Sequence, residues 1–298
     1  MSESTSGATE SRESFERLLG ELRPKLHRYC ARMTGSVIDG EDVVQEALVK
    51  ALEAFSSTAS IGHPEGWLFR IAHNAALDFL RRRARQDAAH SDEDPEMIVD
   101  PVTIAEDRQI AAASLRTFMR LPVAQRSSVI LMDVLGYSLQ EIGGVMDSSI
   151  PAIKAALHRG RTHLRELAQE PDDHPLPVLA DPERTLLTAY VERFNARDFD
   201  TIRNMLADEV RLDLIARAQR NGRSEVGSYF TNYGAVTDWH LSAGLVDGHP
   251  AALVRDPHDA SSRPSYFILL QWTDDRLLTI RDFRFARYAT EGAELHEA

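Results

Sequence analysis

The segment Leu121–Arg165, LPVAQRSSVILMDVLGYSLQEIGGVMDSSIPAIKAALHRGRTHLR, most constrains what this chain can fold into. It reads as three consecutive helices, the last two forming a helix-turn-helix. Leu139, Ile142 and Val145 put an apolar face on a short helix that begins near Ser138. The turn MDSS follows, where Ser149 can cap the next helix and Pro151 falls in its first turn, a position that tolerates the missing N–H. Ile153, Leu157 and Leu164 then recur on one face, while Lys154, His158, Arg159, Arg161 and Arg165 share the other. A short helix, a tight polar turn and a cationic helix have the shape and charge that a DNA groove accepts. The same pattern also describes a helical hairpin with a solvated basic face.

A net charge of −12 would oppose nucleic-acid binding if it were spread evenly, and it is not. Residues 1–86 balance 12 acids against 12 bases, and residues 109–168 carry 7 bases against 4 acids. The excess acid lies in residues 87–108 (8 acids, 1 base), in residues 169–182 (4 acids) and in residues 183–298 (18 acids, 14 bases). Counterion release depends on local cations, so the helix-turn-helix stays a candidate DNA reader, but a weak one that needs help from a partner. Cys30 is the one cysteine, which excludes a disulfide framework or a multi-cysteine metal site. The polar N-terminus lacks a signal-peptide core, and no apolar run approaches the roughly 20 residues that span a bilayer. These features describe a soluble cytoplasmic chain.

The remainder of the first half reads as helical. Residues 1–12 are expected to be disordered. Phe15, Leu18, Leu19, Leu22, Leu26, Tyr29 and Met33 follow with helical spacing, and Pro24 predicts a break or kink. A second amphipathic helix starts at Asp39 or Glu41 and turns Val43, Ala47, Val49, Leu52 and Phe55 inward. A third, EGWLFRIAHNAALDFLRRRARQ, carries Trp67, Leu68, Ile71, Ala75 and Leu80 on one side and ends in an arginine cluster. Trp67, Phe69 and Phe79 alternate with Arg70, His73 and Asn74, and aromatics beside cations suit a single nucleic-acid strand. The alternative is a core aromatic pair on a helix whose basic C-terminus complements its dipole.

The segments EDVVQEALVKAL, GWLFRIAHNAALDFLRRRAR and LPVAQRSSVILMDVLGYSLQEIGGVMDSSIPAIKAALHRGRTHLRE resemble bacterial RNA polymerase sigma factors of the extracytoplasmic-function (ECF) group, which keeps only sigma domains two and four. The resemblance implies sigma domain two at residues 14–86, an acidic linker at 87–108 and sigma domain four at 109–168. It implies that Asp42, Gln45 and Glu46 dock on core RNA polymerase. Trp67, Arg70, Asn74, Asp78, Arg81 and Arg82 would meet the minus-ten element, the two arginines as phosphate contacts. Ser149, Ala152, Lys154, Ala155, Arg159 and Arg161 would meet the minus-thirty-five element. It implies no catalytic residue, metal or cofactor. Core polymerase and promoter DNA are the partners, with an anti-sigma factor or a small ligand of the C-terminal domain left open.

A proline-rich acidic linker, residues 169–182, precedes residues 183–298. Leu186, Leu187, Tyr190, Val191 and Phe194 define a helix, FDTIRNMLAD a second, and SEVGSYFTNYG a third. VRLDLI, WHLSAGLVDG, AALVRD, SYFILLQWTD and RLLTIRDFRFARY read as strands, with DGHP and TDDR as turns. Helices and antiparallel strands in this order make an α+β domain, a sheet curled over helices. It resembles the SnoaL-like, cone-shaped domains related to polyketide cyclases and nuclear transport factor two, although RAQRNGRSEVGSYF stands where one subgroup keeps a glycine-rich, tryptophan-containing motif. Asp213 and Asp282 alternate with apolar residues and could point into the cone near Trp239, His240, Tyr266 and Trp272, or face water. A regulatory role is favoured over ligand sensing and catalysis. The fold expected is therefore two all-α sigma domains followed by an α+β cone. The function expected is promoter-specific initiation modulated by the C-terminal domain. The alternatives are a stand-alone helix-turn-helix regulator and an enzyme with an appended DNA-binding module.

Overall fold

The computed structural model describes residues 3–55, 61–88, 113–170, 178–259 and 263–297. The chain divides into two compact units, Met1–Asp172 and Asp173–Ala298. Most of the linker at 87–108, and residues 171–177 of the one at 169–182, lie outside the described residues.

The first unit is all-α: α1 (Glu3–Thr34), α2 (Val37–Phe55), α3 (Pro64–Ala88), α4 (Leu115–Met119), α5 (Val123–Val129), a π-helical turn (Ile130–Val134), α6 (Leu139–Met146) and α7 (Ile150–Leu167). One contiguous buried cluster runs through it, from Phe15 and Tyr29 through Phe69 to Phe118, Ile142, Ile153 and Leu164.

Three expectations are corrected here. Helix α1 already begins at Glu3, where disorder was expected, because a helix nucleated further along adds one hydrogen bond for each residue it extends. Pro24 lies inside α1 without ending it. Pro24 and Gly20 are both exposed, so the Gly20 carbonyl that loses its i+4 donor faces water. Helix α2 starts at Val37, capped by Ser36, whose Oγ accepts the amides of Ile38 (3.1 Å) and Asp39 (3.3 Å). Val49, expected inward, is 50% exposed.

The second unit contains α8 (Asp181–Asn195), α9 (Phe199–Met205) and α10 (Arg223–Gly234). Its seven strands are β1 (Leu206–Leu214), β2 (Ala218–Asn221), β3 (His240–Val246), β4 (His249–Arg255), β5 (Tyr266–Thr273), β6 (Arg276–Asp282) and β7 (Leu295–Glu297). They form one sheet in the order β2-β1-β6-β5-β4-β3-β7. Side chains of all three helices share a core with one face of the sheet, including Tyr190, Phe194, Ile202 and Phe230 against Leu212, Ile268 and Ile280. The two turn signals are realised with positive φ at Asp247–Gly248 and Asp274–Asp275, the geometry that two-residue hairpins need.

The sheet is mixed, because β1 pairs parallel with β6 while every other pair is antiparallel. The last expected strand also stops early. At Asp282 the side-chain Oδ1 accepts the Arg284 amide (2.8 Å), and Phe283 turns onto Phe267 with ring centroids 4.2 Å apart.

Candidate nucleic-acid interface

The recognition module is built by local rules. Ser138 caps α6 in a capping box: its Oγ accepts the Glu141 amide (3.4 Å), and Glu141 Oε2 accepts the Ser138 amide (2.8 Å). Asp147, with φ of 50°, closes α6 in the left-handed conformation that a short polar residue tolerates. Ser149 then caps α7, accepting the Ala152 amide (3.4 Å). Gly160 lets α7 approach α5, since a Cβ there would lie 2.8 Å from Val129 Cγ2.

On the face of α7 away from this packing, Ser149, Ala152, Lys154, His158 and Arg159 are exposed, and Ala155 is half-buried. Arg161 is placed differently. Its Nε donates to Asp133 Oδ2 (2.9 Å), and its Nη2 bonds the other carboxylate oxygen, so the guanidinium ties α7 to the π-helical turn. No sequence signal marked Asp133, which lies 28 residues away.

Along α3, Arg70, Asn74, Asp78, Arg81 and Arg82 make a single stripe at helical spacing, all exposed except Asp78, which is half-buried. Within it Arg81 bonds Asp78 (3.2 Å). Arg82 reaches α2 and bonds Glu46 Oε2 (2.9 Å), and Arg83 bonds Asp39 (3.3 Å). Both partners of each pair keep substantial solvent exposure, so each contact is worth at most about 1 kcal/mol and can be exchanged for phosphate. Glu46, partly buried, would be pushed up by desolvation. Hydrogen bonds from Lys50 and Arg82 outweigh that and hold its carboxyl below the ordinary range. Asp42 on the same helix is exposed, and Gln45 is half-buried beside Glu46.

The aromatic side chains of α3 divide by role. Phe69 is fully buried, edge-on to Tyr29 at 5.9 Å, which removes it as a base-stacking platform. His73 is also core: Tyr29 Oη lies 2.7 Å from Nδ1, and burial lowers its pKa to about 4, keeping it neutral. Trp67 is half-buried, with its ring 6.2 Å from Phe15, and lines a cleft with Arg70.

In the second unit the two candidate acids fall on opposite faces of the sheet. Asp282 is fully buried among tyrosines, and its Oδ2 accepts hydroxyls from Tyr229 (2.9 Å) and Tyr233 (2.8 Å). Tyr233 continues to Tyr266 (3.1 Å), which accepts from Arg284 (3.1 Å), and Arg284 pairs with Asp238 (2.8 Å). Burial raises the Asp282 pKa, with the tyrosine and backbone hydrogen bonds opposing it. Asp213, beside the buried Leu212, lines an outer depression with Arg211, Gln219 and Arg281. His240 is exposed, away from Asp282, whereas Trp239 bonds the Tyr233 carbonyl (3.2 Å).

Two helical domains on one chain, each with an exposed polar and cationic helix face, define a two-site DNA-reading protein. The family described as "Sigma-70 region 2" matches residues 18–86, and "Sigma-70, region 4" matches residues 115–164. The ECF RNA polymerase sigma factor SigM of Mycobacterium tuberculosis is 31% identical over 156 residues, 52% of this chain and 78% of that protein. The ECF RNA polymerase sigma factor SigE of Mycolicibacterium smegmatis is 31% identical over 157 residues, 51% of this chain and 61% of that protein. A crystal structure of the extracytoplasmic function sigma factor SigJ of Mycobacterium tuberculosis aligns with 88% of this chain and 93% of that one at 19% identity, with a TM-score of 0.35. The chain belongs to the ECF RNA polymerase sigma factor family.

Proposed function

We propose that this chain is an alternative sigma subunit that joins core RNA polymerase in the cytoplasm and directs promoter-specific initiation, with a SnoaL-like C-terminal domain that modulates it. The observation that carries the reading is the pair of exposed stripes on α3 and α7, each within a matched sigma region. The α3 stripe takes the minus-ten element. Trp67 and Arg70 stand at its start and Arg81 and Arg82 supply phosphate contacts at its end. Ser149, Ala152, Lys154, Ala155 and Arg159 take the minus-thirty-five element, while Arg161 supports α7 from behind through Asp133. Asp42, Gln45 and Glu46 take the polymerase. The local charge of the helix-turn-helix is modest, as suits a subunit delivered to DNA by a larger machine.

The regulatory reading of the C-terminal domain is supported by Asp282. Both carboxylate oxygens accept protein hydrogen bonds in a fully buried position, which suits a structural tie better than proton transfer to a substrate. Among the described residues no helix is long and apolar enough to cross a membrane. The test is footprinting of a promoter library with the chain alone and with core polymerase. Protection of two elements only when polymerase is present supports the proposal; tight, specific protection by the chain alone supports a stand-alone regulator instead.

A further inference from the structure

The two sigma domains are docked on one another through a wedge and a plug. Tyr137, in the loop before α6, is almost fully buried, with its ring 5.1 Å from Phe69 of α3. Its hydroxyl donates to Glu65 Oε1 (2.5 Å), which also receives Lys25 Nζ (2.5 Å), and that ammonium lies 4.3 Å from the Tyr137 ring centroid. The plug is Arg126 of α5. It is buried, and donates to the Met33 carbonyl in the last turn of α1 (2.6 Å) and to the carbonyls of Met119 and Leu121 (2.9 Å each). A cation at a helix C-terminus is favourably placed.

We propose that this docking is a closed resting state that withholds the minus-ten reader, and that polymerase must open it. The inference rests on the sigma reading above. A compact body of roughly 160 residues is about 40 Å across. Elements centred 10 and 35 base pairs upstream lie about 25 steps apart, or about 85 Å at 3.4 Å per step. The docked domains therefore cannot seat α3 and α7 on both elements of a straight duplex.

The docking also encloses one reader. Trp67 and Arg70 form one wall of a cleft of about 680 Å³ whose other wall is Tyr137, Gln140 and Val145 of the helix-turn-helix domain. A melted strand reaching Trp67 would have to displace α6. The covalent chain permits separation, because the 26 residues between Ala88 and Leu115 reach about 90 Å when extended. The latch is also reversible. On opening, Arg126 keeps two of its carbonyl partners and gains water in place of the third, and Glu65 keeps Lys25.

The test labels Glu53→Cys and Glu166→Cys in the full chain, both exposed and outside the assigned contacts, with Cys30 buried and unreactive. Pairwise spin-label distances are read for the free chain and for the complex with core polymerase and promoter. The free chain should give one distance below about 40 Å, lengthening by tens of ångströms in the complex. The paired substitutions Tyr137→Phe and Glu65→Gln keep both volumes and should broaden the free-chain distribution. They should also raise run-off product at limiting polymerase by about three- to tenfold, the factor that removing one or two hydrogen bonds implies. An extended free wild-type chain, an unchanged distance in an initiating complex, or variants that move neither readout would overturn the latch. Failure of the wild type to initiate counts instead against the sigma reading.

Discussion

The Arg161 guanidinium grips the Asp133 carboxylate with two prongs, one of them Nε to Oδ2 at 2.9 Å, and so locks the middle of α7 to the turn beneath it. The Asp133 side chain is 2% exposed, so removing its partner leaves a buried carboxylate without its cation. A fully buried pair broken this way costs about 3–5 kcal/mol; here the partly exposed guanidinium reduces the expected loss for Arg161→Ala to about 2 kcal/mol. Urea unfolding would measure it. A stability unchanged from wild type together with altered promoter choice would instead make Arg161 a DNA contact.

Lys154 and Arg159 lie on the open face of α7, and neither is needed for its packing. Replacing each by Ala should leave the melting temperature near that of the wild type. Promoter affinity of the polymerase complex should fall, and the slope of log affinity against log salt should shrink by about one for each phosphate that is no longer neutralised. Titrations at several salt concentrations check this, and unaltered slopes would remove both residues from the interface.

Gly160→Ala sets two effects against each other. Alanine favours the helix by about 1 kcal/mol, yet its Cβ would sit 2.8 Å from Val129 Cγ2 and 3.2 Å from Gln125 Cβ. Overpacking a tight site costs about 1–3 kcal/mol, so a net loss near 1 kcal/mol is expected. Thermal denaturation giving a stabilised variant would contradict the close approach of α5 and α7.

Asp282 makes the C-terminal domain sensitive to pH in a defined direction. Burial raises its folded-state pKa above the unfolded value, so in the window between the two the folded state holds more protons than the unfolded. Stability contributed by this group is therefore greatest below the ordinary carboxylate range and is lost as pH rises through the window. Subtracting the pH–stability curve of Asp282→Asn from that of the wild type should reveal this negative slope. A flat difference would show that the tyrosine hydroxyls fully offset the burial.

What could be read from the residues alone followed local grammar. Ser138 with Glu141, and Ser149 with Pro151, sit within a few positions of what they cap, so the helix-turn-helix was legible. The arginine stripe of α3 was legible for the same reason. Pairings across long separations were not. Asp133 beneath Arg161, Glu46 against Arg82, and the alignment of β1 with β6 all depend on how distant segments meet. Val49 fits an apolar helical pattern yet ends exposed, since the side α2 buries is chosen by α1 and α3. The four-residue β2 and three-residue β7 are too short to leave a periodic trace. Phe69 and Trp67 share an aromatic character and a helix, and only packing separates the core ring from the one lining the cleft.

The central claim is that the chain converts core polymerase into a promoter-specific enzyme, and multi-round run-off transcription on a promoter library tests it most directly. Core polymerase with the full-length chain should yield discrete transcripts absent with polymerase alone. Those transcripts should disappear when Asn74 and Arg82 are replaced by Ala and when Lys154 and Arg159 are replaced by Ala. Transcripts that persist through both pairs of substitutions, or a wild-type chain that yields none from any template, would contradict the account.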